Sequence, residues 1–432
     1  MADDLDELTG GLRRMWSTAS LTGKLGAKAA SRMLFRKRGV PDEEDDARRT
    51  AAAVANARKL VTRMGHLKGL VMKAGQIASY MPGSLPPAAQ EVLAELQAHS
   101  TPMAYHRIDE VLVSELGARG AALFETIDEQ PFAAASIGQV HRATHRGATV
   151  AVKIQYPGIE AAIRSDLKMV AVIARMSSIG SPLDGGAIAG ELRERLLEEC
   201  DYEREAVSQA LFARLLAEVD GAAVPGVIAE RSSRRVLTTE FVDGARLADT
   251  AVAVRDRAGQ VIYKACFELL FRRCIYNADP HPGNYLVAPD GGVTFLDFGC
   301  TRRFERTMIE TWRKLARAIL DGDREGFAEG FRALGFVGKE RGFDWDFQWE
   351  AMRFLYSPYL ERDFRYDAAF VQNSFGVLMF DNPNRFRIAM PPEWLFLNRL
   401  QWGLNAVLAQ LGAAGPWREL LEELLAMPIE PA

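Results

Sequence analysis

Along the chain the spacing of apolar positions changes twice, and those changes divide it. Residues 47–80 lack proline and place Leu60, Met64, Leu67, Leu70 and Val71 at helical intervals, which predicts a helix stopping near Pro82. A second helix is predicted over 87–98 and a short one around 110–116. The texture then turns strand-like at 140–143, 150–154 and 236–241. Between the last two of these lies a long, charged stretch, 191–216, that reads as helical. From about Leu247 onward the pattern is mainly helical, broken by strand-like pieces at 285–288 and 293–296. The expected protein is α+β in four parts: a partly disordered leader at 1–46, a helical extension at 47–125, a small mixed lobe at 126–245 and a large helical lobe at 246–432.

Composition narrows this picture little. At 432 residues the chain exceeds one ordinary core, given roughly 150 residues per domain. Hydrophobic residues at 48% and charged residues at 25% are those of a globular protein. The net charge of -4 supplies no global field for nucleic acid, so no nucleic-acid partner is expected. Cys200, Cys266, Cys274 and Cys300 form no C-x-x-C pair, which argues against a zinc site and against a disulfide framework. The start Met1-Ala2-Asp3-Asp4 is acidic where a secretory signal is basic, and no stretch approaches the roughly 18 apolar residues of a spanning helix. A cytoplasmic location is expected. Residues 11–41 carry eight basic residues and no acid, interleaved with Trp16, Leu21, Leu25, Met33, Leu34 and Phe35. Such a segment suits an anionic lipid surface, giving peripheral membrane contact, and equally a solvated leader.

The chemistry concentrates in three places. Ala133-Ala134-Ala135-Ser136-Ile137-Gly138-Gln139-Val140 follows the kinase phosphate-covering pattern G-x-G-x-x-G-x-V with alanine at the first two glycine positions, although an Ala-rich turn is also an ordinary packing element. Val150-Ala151-Val152-Lys153 matches the strand that carries the kinase phosphate-binding lysine; a lysine guarding an edge strand is the plainer alternative. Asn277-Ala278-Asp279-Pro280-His281-Pro282-Gly283-Asn284, followed by Asp297-Phe298-Gly299 after two strand-like pieces, has the order of a catalytic loop and a metal-binding triplet. Phosphoryl transfer leaves the protein mainly positioning and charge neutralisation, so it needs a general base such as Asp279 and oxygen ligands for Mg²⁺ such as Asn284 and Asp297. His281 reads as structural. An acid in the run Glu199-Cys200-Asp201-Tyr202-Glu203-Arg204-Glu205 could pair with Lys153, and spacing does not choose which.

Together these residues resemble the UbiB/ADCK (aarF-domain) family of atypical kinases. Three features set the match above a generic kinase: the Ala-rich loop, the element Lys73-Ala74-Gly75-Gln76, and Glu199-Cys200-Asp201 as the family's E-x-D motif. The resemblance covers about 58–303. It implies a bilobal protein-kinase-like fold with an N-terminal helical extension. ATP and Mg would be the cofactors, with Ala133, Ala134, Ala135, Ser136, Gly138 and Val140 over the phosphates and Glu240 and Val242 at the adenine hinge. It implies Lys153, Asp279 and Glu205 as catalytic residues, Glu205 being the partner of Lys153, and Asn284 and Asp297 as metal ligands. Lys73 and Gln76 would face the site and meet Glu199 and Asp201, obstructing protein substrates; positions i and i+3 do share a helix face. The implied function is an ATPase or small-molecule kinase activity supporting isoprenoid quinone (ubiquinone) biosynthesis, with ATP and ADP, membrane lipid or quinone-precursor lipids as partners. Two alternatives remain, a nucleotide-gated scaffold for lipid-quinone enzymes and an aminoglycoside-phosphotransferase-like kinase, the second disfavoured by the Lys73–Gln76 element. Nothing in the residues sets the oligomeric state.

Overall fold

The computed structural model describes residues 102–135, 137–161, 163–164, 197–277, 280–379, 382–389 and 391–432. The expected leader, the helices over 47–80 and 87–98, and Lys73, Gln76, Ser136 and Asp279 lie outside the described residues.

Two short helices, α1 (Tyr105–Leu116) and α2 (Gly120–Leu123), lead into a five-stranded antiparallel sheet. Its strands are β1 (Thr126–Ile127), β2 (Ala133–Ala134), β3 (Gly138–His145), β4 (Ala148–Gln155) and β6 (Val236–Glu240), in the order β1-β3-β4-β6 with β2 paired to β3. The β3–β4 connection is the two-residue turn Arg146-Gly147, with φ of 54° and 76°. Positive φ at both central positions is what a tight hairpin matching the strand twist requires. Val150, Val152 and Ile154 alternate along β4 and share one core with Ile108, Val111 and Leu112 of α1. The intervening Ala151 and Lys153 therefore face the opposite side of the sheet.

On that side lies α3 (Tyr202–Leu216). The expected unbroken helical run 191–216 is corrected here: among the described residues a turn at Glu199 and Cys200 interrupts it. Asp201 takes extended φ/ψ of -123° and 92°, and its carboxylate accepts the Arg204 N–H at 3.2 Å. A short acidic side chain that bonds the backbone locally competes with continued helix and starts a new one, a preference that outweighed the charged pattern.

The larger lobe is mainly helical. It holds α4 (Arg255–Phe271), α5 (Arg306–Asp321), α6 (Arg324–Ala333), α7 (Trp345–Leu355), α8 (Ser357–Leu360), α9 (Ala368–Met379), α10 (Pro392–Leu411) and α11 (Trp417–Ala426). Helix α4 is apolar on nearly every side and runs through the centre of the core. A second sheet, ordered β5-β10-β9-β7, joins β5 (Ala222–Ala223), β7 (Ala245–Arg246), β9 (Tyr285–Val287) and β10 (Val293–Phe295). A third pairs β8 (Ile275–Asn277) with β11 (Thr301–Arg303). The fold is a small mixed lobe on a large helical one, as the motif order implies.

Candidate functional site between the lobes

Lys153 does not guard an edge. Strand β4 is hydrogen-bonded to β3 on one side and β6 on the other, which rules out the edge-lysine alternative. Its ammonium donates to both Glu205 oxygens, at 2.7 and 3.0 Å, stands 3.7 Å from Asp297 Oδ2, and lies 4.8 Å from the centre of the Tyr202 ring. The pair is nearly dry, with 18% of the Lys153 side chain exposed and 4% of Glu205. A charge this buried persists only when paired and hydrogen-bonded. Burial acts to discharge Lys153, but Glu205 and Asp297 outweigh it and hold the ammonium well above its ordinary pKa. Burial pushes Glu205 up to about 7, with Lys153 pulling it down and Asp297 adding to the rise.

Helix α3 delivers Glu205 one turn after its cap, and seven residues later Phe212, whose ring sits 5.1 Å from that of Phe298. Positions separated by one and two turns fall on one helix face, so a single helix grips both the lysine and the Asp-Phe-Gly triplet. Asp297 is fixed from two sides: its Oδ1 accepts the Gly299 N–H at 3.0 Å, and its backbone carbonyl accepts from the Asn277 side-chain amide. A Cβ added to Gly299 would stand 3.4 Å from Asp297 Oδ1, 3.8 Å from Glu205 Oε2 and 4.0 Å from Glu199 Cγ. Three acids thus converge on that glycine. Just beyond the triplet, Arg302 donates to Glu198 at 2.7 Å, tying the strand after Gly299 to the turn before α3.

Asn284 reaches the same cleft through the β9–β10 hairpin, which pairs Tyr285 with Phe295 and is closed by the Leu296 N–H on the Asn284 carbonyl at 3.0 Å. The hairpin accounts for the sequence separation of Asn284 and Asp297. His281 caps the 3₁₀ turn Pro282–Asn284 by accepting the Gly283 N–H, a structural part. Asn277, Asn284, Asp297, Phe212 and Phe298 line one small pocket beside the triplet.

The Ala-rich loop forms a hairpin tip: Ala133 and Ala134 pair with Val140 and Gln139, and the Ala135 N–H donates to the Gly138 carbonyl at 2.9 Å. Val140 is the cross-strand neighbour of Lys153, so both face the cleft. Glu240 and Val242 lie at the end of β6, where the Glu240 carboxylate accepts the Gly226 N–H at 2.8 Å. Asp201 is occupied as the α3 cap. The site thus brings together Lys153, Glu205, Asp297, Asn284, Val140 and Glu199. Two residues were missed by sequence reasoning: Asn277, which anchors the triplet, and Tyr202, whose only local signal is lying three residues before Glu205.

No group of three or more His, Cys, Asp or Glu side chains among the described residues forms a metal cage. Mg²⁺ is ordinarily held by one or two protein oxygens with the remaining positions filled by phosphate and water. The donor set is suitable, an amide and a carboxylate at the two ends of one hairpin, beside Glu205 and Glu199.

The description ABC1 atypical kinase-like domain matches residues 95–331. Atypical kinase COQ8B, mitochondrial, from Rattus norvegicus is 32% identical over 85% of this chain and 72% of its own length. Atypical kinase coq-8, mitochondrial, from Caenorhabditis elegans is 33% identical over 66% of this chain and 39% of its own length, so the chain spans about two-fifths of that relative. A solved structure of Rv3197 from Mycobacterium tuberculosis, in complex with erythromycin, is 29% identical and superposes with a TM-score of 0.66, covering 90% of this chain and all of that one. With its motifs in order, its paired lysine and these matches, the chain belongs to the ABC1 atypical kinase-like family.

Proposed function

We propose that the chain binds ATP with Mg²⁺ in the cleft between its lobes and cleaves or transfers the γ-phosphate, as an atypical kinase or ATPase supporting isoprenoid quinone (ubiquinone) biosynthesis. The observation that carries this reading is Lys153, on a central strand, held charged between Glu205 and Asp297. An ammonium fixed there faces the oxygens of a triphosphate as a preformed point charge, so binding requires little reorganisation. Bound Mg²⁺ would neutralise phosphate charge. Asn284 and Asp297 would hold it, Asn277 keeps the Asp297 backbone in place, and Asp279 would accept the proton of the nucleophile. Ala133, Ala134, Ala135, Ser136 and Gly138 would cover the phosphates, and the backbone from Glu240 to Val242 would take the adenine. Lys73 and Gln76, with Glu199 and Asp201, would close the site to protein substrates.

The test is turnover of ATP by the purified full chain with Mg²⁺. Asp297→Asn should lower it by about 100-fold or more, the scale on which removing one charge-stabilising group acts. Full turnover in that variant would sink the metal-ligand assignment. ATP binding without turnover, even with phenolic quinone precursors present, would favour the nucleotide-gated scaffold.

For location we propose a cytoplasmic protein bound peripherally to an anionic membrane. The described residues contain no helix long and apolar enough to cross one. The reading is supported by Phe386, 64% exposed, with the Arg385 guanidinium 5.0 Å from its ring centre. Lys339 donates its backbone N–H to the Arg387 carbonyl at 3.0 Å, and Arg387 Nε donates to the Arg341 carbonyl at 3.3 Å, which brings the backbones of two further cationic residues against Arg387, the residue after that ring.

A further inference from the structure

Tyr202 is the first residue of α3 and is 1% exposed. It belongs to a small apolar cluster with Ile137, Cys200 and Leu237, separate from the core beneath the sheet. Ile137 is the tip of the Ala-rich hairpin, so the tyrosine is packed against the element that the nucleotide reading places over the phosphates. Its ring also lies under the Lys153 ammonium, 4.8 Å from Nζ to ring centre. Its phenol oxygen is fully buried and has no hydrogen-bond partner among the described residues. A buried hydroxyl without a partner carries a desolvation cost, so what this side chain contributes is its ring.

We propose that Tyr202 is a positioning residue for Lys153: its π-face and the Glu205 carboxylate, three residues apart on one helix face, hold the ammonium aimed at the phosphates and keep water from beneath it. The inference rests on the ATP reading of the cleft and deepens it. Glu205 and Asp297 hold the end of a long, four-carbon side chain by charge but leave the face of the ammonium toward α3 uncovered. The ring covers that face, and a desolvated cation over an aromatic face is held far better than an exposed one. The same cluster holds Ile137 of the hairpin tip, so one packed group underlies both the lysine and the tip.

The experiment compares ATP, ADP and adenosine binding, with Mg²⁺, to the wild-type full chain and to Tyr202→Leu and Tyr202→Phe. In Tyr202→Leu, which keeps an apolar side chain and loses the π-face, ATP and ADP should bind about 5- to 30-fold more weakly, the scale of a desolvated cation–π contact. Adenosine, which has no phosphate for Lys153 to meet, should bind as it does to wild type. Tyr202→Phe should restore ATP affinity to within about twofold, since it keeps the π-face and removes only the hydroxyl. Equal loss for adenosine and ATP would mean a general packing role and overturn the proposal. Loss of ATP affinity in Tyr202→Phe would transfer the role to the hydroxyl and overturn it as well. If Tyr202→Leu does not fold, Tyr202→Met takes its place in the same three-ligand comparison. Failure of the wild-type chain to bind ATP at all would end the nucleotide reading and this proposal together, whereas wild-type binding matched by Tyr202→Leu would end this proposal alone.

Discussion

Single residues in the small lobe carry constraints that their types alone did not announce. Gly138 sits where the Ala-rich motif retains its one glycine, and phosphate approach is the reason the motif supplies. The fold adds another: a Cβ there would stand 2.1 Å from the Ile154 carbonyl oxygen, so strand packing by itself requires glycine. His141, three residues along the same strand, is fully buried; its Nδ1 lies 2.7 Å from the Asp128 carbonyl and its Nε2 2.9 Å from the Gln139 amide nitrogen. A carbonyl on one side and an amide donor on the other fit a neutral ring with its proton on Nδ1. Burial holds its pKa below the usual 6.5, against the opposing pull of Asp128. Below that value the unfolded chain takes up a proton that the folded chain refuses. The contribution is therefore present above about pH 6.5 and is lost as the pH falls through the lower folded pKa. Denaturant midpoints at pH 7.5 and pH 5 should fall further apart in wild type than in His141→Gln; an identical difference in both would refute the neutral assignment. The buried thiols act differently: burial raises Cys200 and Cys266 to about 12, which leaves them unreactive at neutral pH.

At the scale of elements, α3 is the part on which the site turns. It bears Tyr202, Glu205 and Phe212 at spacings of three and seven, and its start is set by Asp201. Replacing an N-cap aspartate by alanine costs about 1 kcal/mol of stability. Asp201→Ala should therefore lower the unfolding free energy by that amount. It should also weaken ATP binding, because Glu205 lies one turn beyond the cap and fraying would release it from Lys153. Calorimetry of nucleotide binding beside urea unfolding reads both effects, and a stability loss with unchanged affinity would show that the cap does not govern Glu205. The β9–β10 hairpin is the contrasting case. Its two short strands were readable as strand-like pieces at 285–288 and 293–296, because register in a hairpin is a local matter. The break before α3 was not readable, since Asp201 competes with the backbone only after Cys200 and Tyr202 have been drawn into a core.

Across the whole molecule, distant segments meet in ways that only the finished core permits. Arg272 and Arg273 bridge Glu218, just beyond α3, to Glu430, while the Glu430 N–H donates to the Arg272 carbonyl at 2.7 Å. These pairs are half-exposed, and screening limits such contacts to fractions of a kcal/mol each. Their effect is placement of the segment after α11 against the turn that follows α4. The Arg385-Phe386-Arg387 tip is also a product of tertiary structure: buried Asn384 exchanges hydrogen bonds with the Asp344 backbone, at 2.7 and 2.8 Å, and so holds the tip outward. An exposed cationic and aromatic tip suits an anionic bilayer, where each basic residue near the surface adds about 1 kcal/mol of attraction. Phe386→Ser should therefore reduce co-sedimentation of the full chain with phosphatidylglycerol-containing vesicles several-fold, leaving its weak binding to pure phosphatidylcholine unchanged. Equal retention by both vesicle types, before and after substitution, would remove this surface from the membrane reading.

Short-range rules were enough to read the Ala-rich loop, the lysine strand, the Asn284 turn and the Asp297 triplet, because each depends on neighbours within about ten residues. They did not choose among the acids that could meet Lys153, nor single out Tyr202 or Asn277. The partner that meets the lysine is 52 residues away in sequence, and Asn277 meets a carbonyl 20 residues away. Which acid lies buried beside the ammonium is decided by how α3 seats against the sheet and the Asp-Phe-Gly triplet. That seating is set by the summed burial of the small and large cores, a quantity no local pattern contains.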